Sequence, residues 1–100
     1  SVEETRLENE RLERERVERE ERYREQSRSL AQRFQALSDG VKAKLKALAE
    51  VRLEEMLPTS SKREEMKADP AFRKVANREV LVRFFAALDG GASVGLALGC

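Results

Sequence analysis

Residues 6–20 read RLENERLERERVERE, three near-copies of a five-residue unit in which each apolar residue is followed by glutamate. A helix turns about 100° per residue, so a five-residue step advances about 140° around the axis. Leu7, Leu12 and Val17 therefore point in three directions and cannot make the a/d stripe of a coiled coil. What the repeat aligns is charge. Glu precedes Arg by three residues at 3→6, 8→11, 13→16, 21→24 and 25→28, and by four at 10→14, 15→19, 18→22 and 20→24. These spacings set opposite charges side by side on a helix, each pair contributing about 0.2–0.5 kcal/mol. No Gly or Pro interrupts residues 1–29. The stretch predicts a solvated helix that needs no core, a single-α-helix-like spacer.

The same pairing argues against a nucleic-acid arm. Residues 1–29 carry eight Arg against ten Glu, a net of −2, so phosphate would meet a nearly neutral rod. The remaining residues carry twelve Lys and Arg against nine Asp and Glu, net +3, and the whole chain is +1. Neither half is a polyelectrolyte. With 39% charged residues, 5% aromatics and no Trp, few large side chains are left for a compact core. The Glu/Arg pattern resembles single-α-helix and coiled-coil segments of cytoskeletal and scaffold proteins over roughly thirty residues, a likeness of composition that carries no functional residue over.

From Tyr23 the spacing changes. Tyr23, Leu30 and Leu37 sit seven apart, as do Phe34, Val41 and Leu48. Interleaved with Ser27, Lys44 and Val51 they form a 3-4 repeat across 23–57, with Leu45 flanking the polar Lys44. The stripe would bury against a partner helix or against the chain's own second half. Ser38-Asp39-Gly40 interrupts it with a turn dipeptide, yet Leu37 and Val41 stay four apart. That phase predicts one continuous helix over 1–57, kinked at Gly40, with a helical hairpin turning at Gly40 as the alternative.

Pro58 ends the helix and 58–61 is a turn. Ser61 with Glu64 reads as a capping box for a short helix, and Asp69-Pro70 as the start of another reaching Leu88. The latter carries Phe72, Val75, Val80, Leu81, Val82, Phe84, Phe85 and Leu88 around most of its circumference, so it demands burial on more than one side. Residues 62–91 thus read as a docking module. The long helix covers one face, and a partner subunit, a neighbouring protein or a membrane surface covers the rest. The small-residue tail, 92–100, sets Gly91, Gly95 and Gly99 four apart, a weak echo of membrane-helix packing. It is too short to span a bilayer unless the protein continues past Cys100, and a flexible or partner-docked tail is the preferred reading.

Nothing in the sequence points to catalysis. There is no His, the single Cys is terminal, no phosphate-binding glycine loop precedes a Lys, and the carboxylates are paired with Arg. No cofactor, metal or small-molecule substrate is expected. The lone thiol gives no sign of a disulfide-stapled secreted fold, so an intracellular location is favoured over secretion. The charged start shows no signal peptide, and Ser1 in place of Met is what a processed chain or a fragment would show.

The expectation is an all-α, extended, non-enzymatic structural or assembly protein: a helical spacer and protein-interaction subunit in a homo-oligomer or larger complex. Its interface residues would be Tyr23, Leu30, Phe34, Leu37, Val41, Leu45, Leu48 and Val51 on the seam, and Phe72, Val75, Leu81, Phe84, Phe85 and Leu88 on the docking module. The alternatives are a membrane-associated adaptor held through residues 80–100 and, behind it, a nucleic-acid accessory protein.

Overall fold

The structure, a computed structural model, describes residues 1–99; the Cys100 thiol lies outside the described residues. The chain is all-α, as the sequence predicts. Among the described residues five helices follow in order: α1 (Val2–Gln35), α2 (Asp39–Met56), α3 (Arg63–Ala68), α4 (Pro70–Asp89) and α5 (Val94–Ala97). The chain divides into two units, residues 1–32 and the segment from Arg33 onward.

In the first unit, Ser1 caps α1 by accepting the Glu4 N–H at 3.2 Å. Glu3 and Glu4 in the first turn complement the helix dipole. At about 1.5 Å per residue, the 34 residues of α1 span about 50 Å.

The expected single helix over 1–57 is divided at 36–38. The last residues of α1 close with a tighter bond, Leu37 N–H to Phe34 C=O at 3.1 Å, and Ser38 then takes an extended conformation (φ −64°, ψ 155°). Its hydroxyl accepts the Val41 N–H at 3.3 Å, making Ser38 the N-cap of α2, with Asp39 in the first turn. A serine that can bond the backbone locally competes with helix continuation. Gly40 is neither kink nor corner; it sits in the first turn of α2. The phase persists because Leu37 stays half-buried within the break itself, alongside half-buried Phe34 and Val41.

The second unit is built on an antiparallel pair. Leu53 and Leu57, at the end of α2, cluster with Ala76 of α4, and Met56, Met66 and Phe72 pack around them. At the other end, Leu45 of α2 and Phe84 of α4 line one groove. The buried row on α2 is Leu45, Ala49 and Leu53, continuing to Leu57, at steps of four. Leu45 and Leu53 are 2% and 0% exposed, each worth about 1.5–3 kcal/mol of transfer free energy.

The connection is held by Arg63. Its guanidinium donates to the carbonyls of Leu57 (3.2 Å), Pro58 (3.1 Å) and Glu54 (3.2 Å), acceptors that the end of α2 leaves over, and it also pairs with the Glu54 carboxylate. The expected Ser61 capping box does not form. α3 starts after Lys62 with no side-chain cap, and Ser60 instead accepts the Lys62 N–H at 3.3 Å. Asp69 caps α4 as expected, accepting the Ala71 N–H at 2.9 Å with Pro70 in the first turn.

α4 ends in a Schellman arrangement: Ala92 N–H reaches Ala87 C=O at 3.0 Å and Gly91 N–H reaches Leu88 C=O at 2.9 Å. Gly91 takes φ +95°, a conformation that L side chains rarely adopt. The reversal lets the tail fold into α5, capped by Ser93, which accepts the Leu96 N–H at 3.2 Å, and Leu98 is buried. Gly91, Gly95 and Gly99 therefore do not share one helical face: only Gly95 is helical, and Gly99 also has positive φ.

Leu53→Ala should lower the unfolding free energy of the second unit by about 2–5 kcal/mol, whereas Val51→Ala, on the outer face of α2, should change it by about 0.5 kcal/mol or less. Urea titrations in dilute solution check the contrast; equal losses would mean that the seam register, not the four-residue row, forms the core.

Candidate functional site

Two surfaces carry the chemistry of this chain. The first is the side of α1. Arg6 bonds Glu3 on one edge and donates to Glu10 at 2.6 Å from the other. Arg11 does the same with Glu8 and Glu15 (2.8 Å), and Arg16 with Glu13 and Glu20 (2.5 Å). Each guanidinium uses Nε and Nη2 for the glutamate three residues before it and Nη1 for the glutamate four residues after. Arg suits this role because its donors are fixed in a planar fork. Each clamp spans eight residues on a five-residue repeat, so Glu10 lies beyond Glu8, where the second clamp opens, and Glu15 beyond Glu13, where the third opens.

The Glu8 and Glu13 carboxyls are held below their ordinary value by the hydrogen bonds from Arg11 and Arg16. A further pair, Glu25 to Arg28, closes at 2.8 Å. Of the three-residue Glu→Arg pairs expected from spacing, 3→6, 8→11, 13→16 and 25→28 form, and 21→24 is not among the ion pairs of the described residues. The Arg→Glu steps of four that complete each clamp have the opposite polarity to the Glu→Arg spacing and are not legible from it. The ion pairs among the described residues do not include the expected 10→14, 15→19, 18→22 or 20→24.

The second surface belongs to the α2–α4 pair. Leu45, Leu48, Val51, Val80, Phe84 and Leu98 line a groove of about 270 Å³ between α2, α4 and the tail, rimmed by Arg52, Glu55 and Arg83. Arg52 donates to Glu79 across the pair at 2.5 Å and to Glu55 on its own helix at 3.2 Å. Arg33 grips Asp89 with two bonds, 3.0 and 2.6 Å, while its guanidinium lies 4.2 Å from the centre of the Phe85 ring. Phe85 meets Phe84 edge-on at 5.2 Å. Glu54 accepts from Lys67 at 2.5 Å as well as from Arg63.

The structure sorts the sequence-derived interface residues into three groups. Leu30, Leu45, Phe84 and Phe85 are buried. Phe34, Leu37, Val41, Phe72, Leu81 and Leu88 are half-buried, and Tyr23, Leu48, Val51 and Val75 are exposed. Phe84 and Phe85, expected as docking anchors, are 1% and 3% exposed and serve as interior of this same molecule. Around α4 the contacts come from α2, α3 and α5, and Arg33 lies over Phe85, so the aromatic pair is covered within this molecule while Val75 and Val82 stay exposed. In α2 the expected seam positions Leu48 and Val51 face solvent, because the inward row runs through Leu45, Ala49 and Leu53 instead.

Among the described residues no group of His, Cys, Asp and Glu could hold a metal ion, and no buried side-chain polar atom lacks a partner. No helix among them is long and apolar enough to cross a membrane. Compared with known proteins, the chain matches no family model, no curated protein and no solved structure.

Folding lowers the pKa of Glu54 through Lys67 and Arg63, of Glu79 through Arg52 and of Asp89 through Arg33. A lowered folded-state pKa means that the pairing contributes fully above the ordinary carboxylate values of 4.5 and 3.8, and is lost as pH falls through the lowered ones. The Tm of the full chain should therefore decline as pH drops from about 5 to about 2. In Asp89→Asn and Glu79→Gln variants that decline should be shallower. A Tm independent of pH across this window would contradict the assignment.

Proposed function

We propose that this protein is a non-enzymatic structural or assembly protein, in which α1 serves as a self-supporting helical spacer and the α2–α4 unit as the part that meets another protein. The observation that carries the reading is the run of overlapping Glu–Arg–Glu clamps centred on Arg6, Arg11 and Arg16. An isolated helix in water is ordinarily marginal. Here, from Glu3 to Glu20, each turn is tied to the turns before and after it by side chains of the same helix. A single exposed pair is worth little, but a regular network along one axis adds up where isolated pairs do not. From Val2 to Gln26 this helix buries no side chain, Leu30 being the first that is buried, and a helix that holds its length without a core is what a spacer needs.

The exposed residues Leu7, Leu12 and Val17 support this reading in a second way. They are distributed around the axis and present no continuous apolar strip. The α2–α4 unit, by contrast, presents contiguous apolar side chains around a groove, the kind of surface that protein partners use.

The test is a peptide of residues 1–32 measured by circular dichroism beside an isomer of identical composition, in which Glu and Arg are redistributed so that three- and four-residue neighbours carry like charge. The native order should be predominantly helical at 25 °C and lose part of its signal in high salt, while the rearranged peptide is largely unfolded. Equal helicity in the two peptides would remove the clamps as the cause, and an unfolded native peptide would remove the spacer.

A further inference from the structure

α2 carries two rows of side chains, and the α2–α4 packing uses one. At about 100° per residue, Lys44, Leu48, Val51 and Glu55 fall within an arc of about 60°, well away from the buried row of Leu45, Ala49 and Leu53. All four members of the outer row are exposed, Leu48 by 37% and Val51 by 57%. Their spacing of four, three and four is that of alternating d and a positions in a helix seam. Their order is cation, apolar, apolar, anion.

That order is self-complementary when reversed. A second copy of α2, laid antiparallel about a two-fold axis midway between Leu48 and Val51, places Leu48 against the second copy's Val51, and Val51 against its Leu48. Lys44 then meets the second copy's Glu55 at one end, and Glu55 meets its Lys44 at the other. A parallel pairing would instead set lysine against lysine and glutamate against glutamate. An isologous contact requires one patch to complement itself under rotation, and this row does.

We propose that the Lys44–Leu48–Val51–Glu55 row is the interface of an antiparallel homodimer of this chain. The inference rests on the assembly reading above and gives it a partner, an orientation and a register. Neighbouring features fit the role. The groove floor of Leu45, Val80, Phe84 and Leu98 lies beside the row and offers apolar volume to an incoming Leu48 or Val51. Among the described residues Glu55 is held by Arg52 alone, at 3.2 Å, the longer of that arginine's two carboxylate contacts, and both partners reach solvent, so Glu55 can turn to a second chain. Lys44 takes part in no ion pair among the described residues. A seam of about three helical turns is smaller than a standard stable interface, so the dimer forms reversibly with concentration.

The experiment is light scattering with sedimentation equilibrium on the full chain carrying Cys100→Ser, at low ionic strength and across a concentration series. The parent should pass from monomer to dimer. Lys44→Glu and Glu55→Lys should each raise the dissociation constant about tenfold or more, since two attractive contacts become repulsive. The double reversal Lys44→Glu/Glu55→Lys should restore it, and Leu48→Glu should abolish association. Circular dichroism checks that these exposed substitutions leave the helices intact. A chain that stays monomeric, a different stoichiometry, or a dimer indifferent to the single reversals or not restored by the double one would each overturn the proposal. None of these outcomes alters the helicity of the isolated 1–32 peptide, so failure of the dimer and failure of the spacer are read separately.

Discussion

The four-residue row Leu45–Ala49–Leu53–Leu57 is the constraint on which the second unit depends. Once it is committed to α4, every other face of α2 has its direction fixed. Arg52 is brought across to Glu79, Glu54 is turned toward Lys67 and Arg63, and Leu48 and Val51 are left outside. Ala76 matters on the opposing helix because a methyl side chain lets the backbones approach where Leu53 and Leu57 press in. The Arg63 clamp on the end of α2 follows from the same geometry, since the reversal toward α4 starts where the row ends.

The two units are stabilised by different physics. From Arg33 onward the helices exchange apolar surface, and their ion pairs sit around a core that would exist without them. Within residues 1–32 the balance is reversed: ion pairs run from Glu3 to Glu20 and recur at Glu25–Arg28, and Leu30 is the one buried residue described there. Ion pairs are screened by salt and lost with carboxylate protonation, whereas apolar packing is far less sensitive to either. In the proposed function, the first kind of support suits a length-keeping element and the second an element that another protein can recognise.

The sequence made some of this legible because the governing rules were local. Charge spacing along 1–29 announced the helix and most of its three-residue pairs, and Asp69-Pro70 marked the start of α4. What it concealed was decided between elements. Two stripes on α2 lie about 130° apart, and a heptad reading finds the one with more regular spacing, Leu48 with Val51, without knowing which α4 will cover. Ser38 could equally sit in a helix or cap one, and only the local backbone bond decides. The burial of Phe84 and Phe85 within one chain is not legible locally, because the tail buries Leu98 only after the Gly91 reversal. Arg63 had no local signature, since its acceptors belong to a helix end that sequence spacing alone does not place.

Residue-resolved hydrogen exchange on the full chain addresses the central distinction most directly. Amides of the buried portions of α2 and α4 should share one high opening free energy that barely changes with salt, as members of a single cooperative unit do. Amides between Glu8 and Glu21 should show lower, graded protection that diminishes as salt rises. If the amides of α1 opened together with those of α2 and α4, at the same free energy and with the same indifference to salt, the division of this protein into a charge-supported helix and an apolar-packed unit would be contradicted.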